Sequence, residues 1–199
     1  MKVLHLATLD KGGGGADAAY RLHSNMRAAG LDSCMLVLHK KSNDSNVLGV
    51  ACQLSIVNKL RLRGYVALQR LARLLFRMSG YFYIDTPGVI SAGQLMERLP
   101  FQPDAIVVHW VAGFVGATVL HDLNHRTGVP IFWYMMDMAP LTGGCHYAFD
   151  CTGYTKKCGN CPQVGLWRRP ADMSYRQWKS KCSNFQETNI TAIAASSWL

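Results

Sequence analysis

Four cysteines, Cys145, Cys151, Cys158 and Cys161, fall within 17 residues in the order C-x5-C-x6-C-x2-C. Thiolates close the four-coordinate shell of structural zinc sites, and a C-x2-C turn lets two of them reach one ion. Such a metal would be scaffolding rather than chemistry. It would hold together a Cys-rich loop insertion, residues 143–162, too rich in glycine to pack by itself. His146 is a substitute ligand. Disulfides and free thiols are the competing readings. Cys34 and Cys52 read as ordinary buried thiols, and Cys182 lies outside the cluster.

Two other stretches have chemistry in their spacing. Gly12, Gly13, Gly14 and Gly15 follow an apolar run and precede a helical pattern. Backbone without Cβ lets a ligand come close, and the helix behind turns its positive end to the same place. That suits a phosphate or a sugar ring; a flexible strand-to-helix turn is the plainer reading. The pattern is neither GxGxxG nor a GK[ST] loop, so neither dinucleotide binding nor a P-loop is supported. Further on, Lys59, Arg63, Arg70, Arg73 and Arg77 share one arc of a helical wheel, with Leu60, Leu68, Leu71, Leu75 and Met78 on another. A basic amphipathic helix suits an anionic membrane surface, or it is an ordinary solvated face. No helix-turn-helix, RNP or C2H2 pattern supports nucleic acid.

The elements that must position these groups read as an α/β order. Residues 3–9 (VLHLATL) form a buried strand, 16–26 a helix closed by Gly30, and 34–39 a second strand. Strand, glycine loop, helix and strand make a βαβ unit and a parallel sheet. Further strands are expected at 47–52, 105–110, 131–135 and 190–195, with helices at 58–79, 91–99, 119–126 and 175–186. Gly64 is a weak point in the long helix, and Pro87, Gly88 and Gly93 mark a loop. Ser196, Ser197, Trp198 and Leu199 read as the first turn of another helix. The expectation is a chain cut from something longer.

The bulk properties agree. The 199 residues suit one α/β domain, with 49% hydrophobic residues to fill a core. There are 21 Lys+Arg against 12 Asp+Glu, and the net charge of +9 points to an anionic partner, or to solubility alone. The start reads as no signal peptide and no run is long enough to span a bilayer, which predicts a cytoplasmic protein.

The residues Leu6-Ala7-Thr8-Leu9-Asp10-Lys11-Gly12-Gly13-Gly14-Gly15-Ala16, with Ala18-Ala19-Tyr20-Arg21-Leu22-His23 behind them, resemble the start of family 4 glycosyltransferases. The stretch Met136-Asp137-Met138-Ala139-Pro140-Leu141-Thr142-Gly143-Gly144-Cys145-His146-Tyr147, ending in Cys158-Gly159-Asn160-Cys161-Pro162-Gln163, looks like a cysteine-bearing subgroup that includes transferases of colanic acid and other exopolysaccharides. The likeness runs the length of the chain.

The resemblance implies the N-terminal, acceptor-side half of a retaining GT-B enzyme: a Rossmann-like parallel sheet flanked by helices, with the donor-binding domain absent from this chain. It implies a nucleotide-sugar donor, a glycan or lipid-linked acceptor, and work at the inner membrane face. Gly13, Gly14 and Gly15 would approach the donor's diphosphate or sugar. Asp137 and His109 would face the cleft as catalytic residues; a capping carboxylate and a satisfied strand-end histidine are the plainer roles. Relatives carry His where this chain has Met136, which departs from the usual sugar contact. The 199 residues alone are expected to be inactive. Two other readings compete: a non-catalytic zinc-bearing module for an anionic glycan or nucleic acid, and a nucleotide-dependent oxidoreductase, against which the missing GxGxxG argues.

Overall fold

The computed structural model describes residues 1–85 and 90–197. Pro87 and Gly88 of the expected loop, and Trp198 and Leu199 of the expected helix start, lie outside them. The chain runs β1 (Lys2–Leu9), α1 (Gly14–Ala28), β2 (Asp32–His39), β3 (Val47–Gly49), α2 (Ile56–Phe76), α3 (Ala92–Met96), β4 (Ala105–Val108), α4 (Ala117–Thr127), β5 (Ile131–Met135), α5 (Met173–Gln186) and β6 (Ile190–Ala194). Three short 3-10 turns, Ala51–Gln53, Gly153–Thr155 and Pro162–Trp167, complete it.

All six strands are parallel, in the order β3-β2-β1-β4-β5-β6. This is an α/β fold with the strand order of a Rossmann-like sheet. The apolar runs explain it, because a parallel strand covered on both faces carries few polar residues. Alternate side chains divide between the faces. Leu4 and Leu6 of β1 join Leu36, Ile106, Leu120, Leu123 and Leu95 in the main core, under α3, α4 and α5. Ala7 turns the other way, onto Ala19 of α1 with Met35, Val37 and Val47. A third cluster, Phe82, Cys145, Cys161 and Val164, sits under the end of α2.

The chain leaves β1 toward β2 and β3, then returns to place β4 on the other side of β1. At such a reversal the loops part, and a crevice opens beyond the carboxyl ends of the strands.

Some expectations shift. The third strand ends at Gly49, and residues 51–53 form a 3-10 turn. Cys52 is therefore exposed, not buried, while Cys34 is buried as expected. Helix α2 starts earlier than expected, because the Ser55 hydroxyl accepts the Asn58 N–H. It passes Gly64 unbroken and stops at Phe76, where Arg77 turns left-handed at φ 51°. The basic arc thus loses Arg77 from the helix. Arg73 is only partly free: its guanidinium lies 4.7 Å over the Tyr83 ring and donates to the carbonyls of Gly80 and Phe82 at 3.4 and 3.5 Å. Among the described residues, no helix is long and apolar enough to cross a membrane.

Candidate functional site

The crevice is built from the ends of β1, β4 and β5. After β1, the buried Asp10 accepts the N–H groups of Lys41 and Ser42 at 2.7 and 2.8 Å, which ties the glycine loop to the loop after β2. Helix α1 then begins at Gly14, with Gly13 as its N-cap and no side chain capping it. Its first N–H groups are left for other partners. Space for a Cβ is open at Gly13 and Gly14; at Gly15 it would lie 3.7 Å from the Met136 methyl.

Gly13, Gly14 and Gly15 share one cavity of ≈ 410 Å³ with Met136 and Asp137. Tyr81, Tyr83, Trp110, His146 and Tyr147 stand in its wall. Sequence motifs 120 residues apart thus meet, as the β1–β4–β5 order requires. Asp137 uses Oδ1 to accept the Ala139 N–H at 2.9 Å, so it does cap the following turn. Its Oδ2 meets His146 Nδ1. The Trp110 indole N–H also points to that nitrogen, at 3.1 Å. One ring nitrogen cannot serve both. Protonated, it donates to Asp137; unprotonated, it accepts from Trp110. His146 lines the crevice, and the cavity bordered by the four cysteines does not include it. Tyr83 packs edge-on against the His146 ring, with centroids 4.6 Å apart.

His109 is placed differently. It directly follows β4, and its N–H continues the pairing to the Leu6 carbonyl at 2.9 Å. It is 1% exposed and lines a smaller cavity of ≈ 50 Å³ beside Asp137 and Trp110. Its Nε2 lies 2.9 Å from His5 Nδ1, and the two rings stack. Behind them stands His23, whose Nδ1 meets the Ser33 hydroxyl at 2.7 Å. His109 Nδ1 and His5 Nε2 have no hydrogen-bond partner among the described residues. Burial holds both histidines neutral: it pushes His109 down to about 4, and His5, with His109 and His23 adding repulsion, to about 2.

The cysteines gather behind the crevice. Cys145, Cys151, Cys158 and Cys161 all line one cavity of ≈ 20 Å³. The sulfurs of Cys145 and Cys161 are 3.8 Å apart, and all seven cysteines are free. Contact with Cys161 raises the Cys145 thiol's pKa and lowers that of Cys161, so one ionises at the other's expense. Among the described residues no three of His, Cys, Asp or Glu are drawn tightly enough to make a ready metal shell.

Helix α5 clamps this segment, and the sequence reading missed that. Ser174, Gln177 and Lys181 recur at helical spacing on its buried face. The Gln177 amide donates to the carbonyls of Gly143 at 2.6 Å and Tyr83 at 3.1 Å. Lys181 Nζ donates to those of Ala139 at 2.8 Å and Thr142 at 3.1 Å. The available signal was three polar residues on the inner face of a helix that must bury something. The motif glycines have the same origin. A Cβ at Gly143 would sit 1.9 Å from the Ser174 carbonyl oxygen, and Gly159 combines φ 139° with a Cβ 2.4 Å from that of Pro170.

No family model, no curated protein and no solved structure matches this chain. What the fold defines is therefore a class: an α/β protein with a Rossmann-like sheet and a crevice at its topological switch point.

Proposed function

We propose that the chain is the acceptor-side domain of a retaining glycosyltransferase of GT-B type, of the exopolysaccharide-building kind, working in the cytoplasm against the inner membrane face. It would help move a sugar from a nucleotide-sugar to a glycan or lipid-linked acceptor. The observation that carries this reading is the shared cavity: an uncapped helix start with open glycines on one side, and Asp137, His146 and aromatic rings on the other. Helix N–H groups suit a diphosphate as its charge develops. Aromatic faces suit the apolar face of a sugar ring.

In this reading Asp137 accepts a hydrogen bond from an acceptor hydroxyl. Its two oxygens are each in contact once, at Ala139 and His146, and carboxylate oxygens hold lone pairs beyond that. His146 brings an imidazole to the cavity where Met136 offers only a thioether. His109, stacked and neutral, supports the wall from behind rather than reaching substrate. The second groove, of ≈ 1160 Å³, runs from Lys59, Arg63 and Arg70 on α2 to Thr8 and Tyr83, and Tyr83 also lines the first cavity. An apolar, basic groove that ends at the crevice favours an acceptor with a lipid tail and a phosphate.

The test is a titration of the purified chain, followed by NMR, with neutral and acidic oligosaccharides and with UDP- and GDP-sugars. Saturable glycan binding that perturbs the Trp110 indole signal is expected, with no turnover of any nucleotide-sugar. Asp137→Ala should weaken glycan binding about tenfold, the loss of one charged hydrogen bond. Turnover by the 199-residue chain, or glycan binding indifferent to Asp137, would sink the proposal.

A further inference from the structure

We propose that Cys145, Cys151, Cys158 and Cys161 hold one zinc ion, a structural site that locks the loop carrying His146 onto α5. The four side chains come from three separate turns and still line a single cavity of ≈ 20 Å³, room for one ion or one water. A tetrahedral zinc with sulfur bonds of about 2.3 Å sets its sulfurs about 3.8 Å apart. The Cys145 and Cys161 sulfurs stand at 3.8 Å. A disulfide would hold them at about 2.05 Å. One edge of the shell is thus in place, and Cys151 and Cys158 close it by turning their side chains into the cavity they already border.

Two backbone N–H groups point at sulfurs of the cluster. The Gly143 backbone N–H bonds to the Cys158 sulfur, and that of Gln163 to the Cys161 sulfur. The second arises from the turn itself, with Gln163 two residues past Cys161. The Cys161 N–H is held at 2.9 Å by Asp172, the N-cap of α5, which fixes the knuckle against that helix. Zinc with four thiolates carries two negative charges, and a buried net charge needs an opposite one nearby. Lys181 supplies it. It is buried, with its Nζ on the carbonyls of Ala139 and Thr142; burial lowers its pKa, and Asp85, Asp137, Cys158 and Cys145 act against that. The metal would add a cross-link to the small cluster that Cys145 and Cys161 share with Phe82 and Val164, which is how metal-closed loops gain stability.

The test is metal analysis of the purified 199-residue chain, with thiols counted before and after chelation. About one zinc per chain, and four thiols newly reactive with chelator, is the expected result. Cobalt in its place should give the visible absorption of a tetrahedral thiolate site. Cys158→Ser should lose about tenfold or more in metal affinity, and the exposed Cys52→Ser none. If Cys158→Ser fails to fold, the native stoichiometry and the cobalt spectrum still decide. A metal-free chain whose thiols all react without chelator overturns the proposal. So does a chain lighter by two hydrogens, with Cys145 and Cys161 joined.

Discussion

At the scale of single residues, the buried histidines have a consequence for stability. In the unfolded chain a histidine takes its proton near pH 6.5. In the fold His109 does so only at about 4 and His5 at about 2, both through burial first. Above pH 6.5 both states are neutral there and these groups add no pH dependence. Below it the unfolded chain binds protons that the folded chain refuses, so stability falls as pH falls. Each histidine contributes about 1.4 kcal/mol per pH unit until the fold itself takes the proton. His23, also lowered by burial but partly offset by Asp44, adds to the trend. The urea midpoint should therefore drop steeply from pH 7 to pH 5, and His109→Gln should flatten the slope. A midpoint indifferent to pH over that range would contradict it. Some of the site's residues were legible in sequence because they lie in short motifs: the open glycines, Asp137, the four cysteines. Others were not. His146 read as a spare metal ligand because its partnership with Asp137 depends on how a loop folds back, and Lys181 gave no signal because burial has no local signature.

At the scale of elements, α2 is the instructive case. Its wheel shows a basic arc and an apolar arc, and the natural assumption is that the apolar one packs inward. Instead Asn58, Tyr65, Gln69 and Ala72 form the buried seam. The Tyr65 hydroxyl donates to the Ile84 carbonyl at 2.5 Å, and the Gln69 amide donates to it at 2.7 Å. Ile56, Leu60, Leu71, Leu74 and Leu75 stay exposed beside Lys59, Arg63 and Arg70. Apolar residues rimmed by basic ones are what an anionic bilayer surface meets best. Each basic residue near such a surface contributes about 1 kcal/mol. Charge reversal of Lys59, Arg63 and Arg70 together should therefore weaken binding to anionic vesicles about a hundredfold or more. Leu71→Ser with Leu74→Ser should weaken it further in high salt. Arg73 is the wrong residue to include, because its loss also undoes the contact with Tyr83. Co-sedimentation unchanged by these substitutions would leave α2 as an ordinary surface. Sequence periodicity identified both arcs; it could not tell which way a helix with two outward faces would turn.

At the scale of the whole molecule, the parallel sheet was the most legible feature, since strands buried on both faces appear as plain apolar runs. Boundaries failed where the competing physics was local: a tight approach at Gly49, a left-handed residue at Arg77. The last strand departs from its neighbours in another way. Among the described residues β6 pairs only with β5, and from Thr191 to Ala194 its residues are exposed, Ile193 at 40%. A strand open along one edge offers a row of unpaired N–H and C=O groups to any similar strand. Between two copies of this chain that attraction meets the repulsion of two charges of +9. Repulsion reaches about 8 Å at physiological ionic strength and about 3 Å at 1 M salt. The chain should stay monomeric in dilute buffer and associate as salt is added, and Ile193→Lys should suppress that association in a sedimentation experiment. Association that weakens with salt would contradict this. Its colloidal behaviour is thus governed by net charge standing guard over one uncovered strand, so that the buffer, more than the concentration, sets how much of it remains in solution.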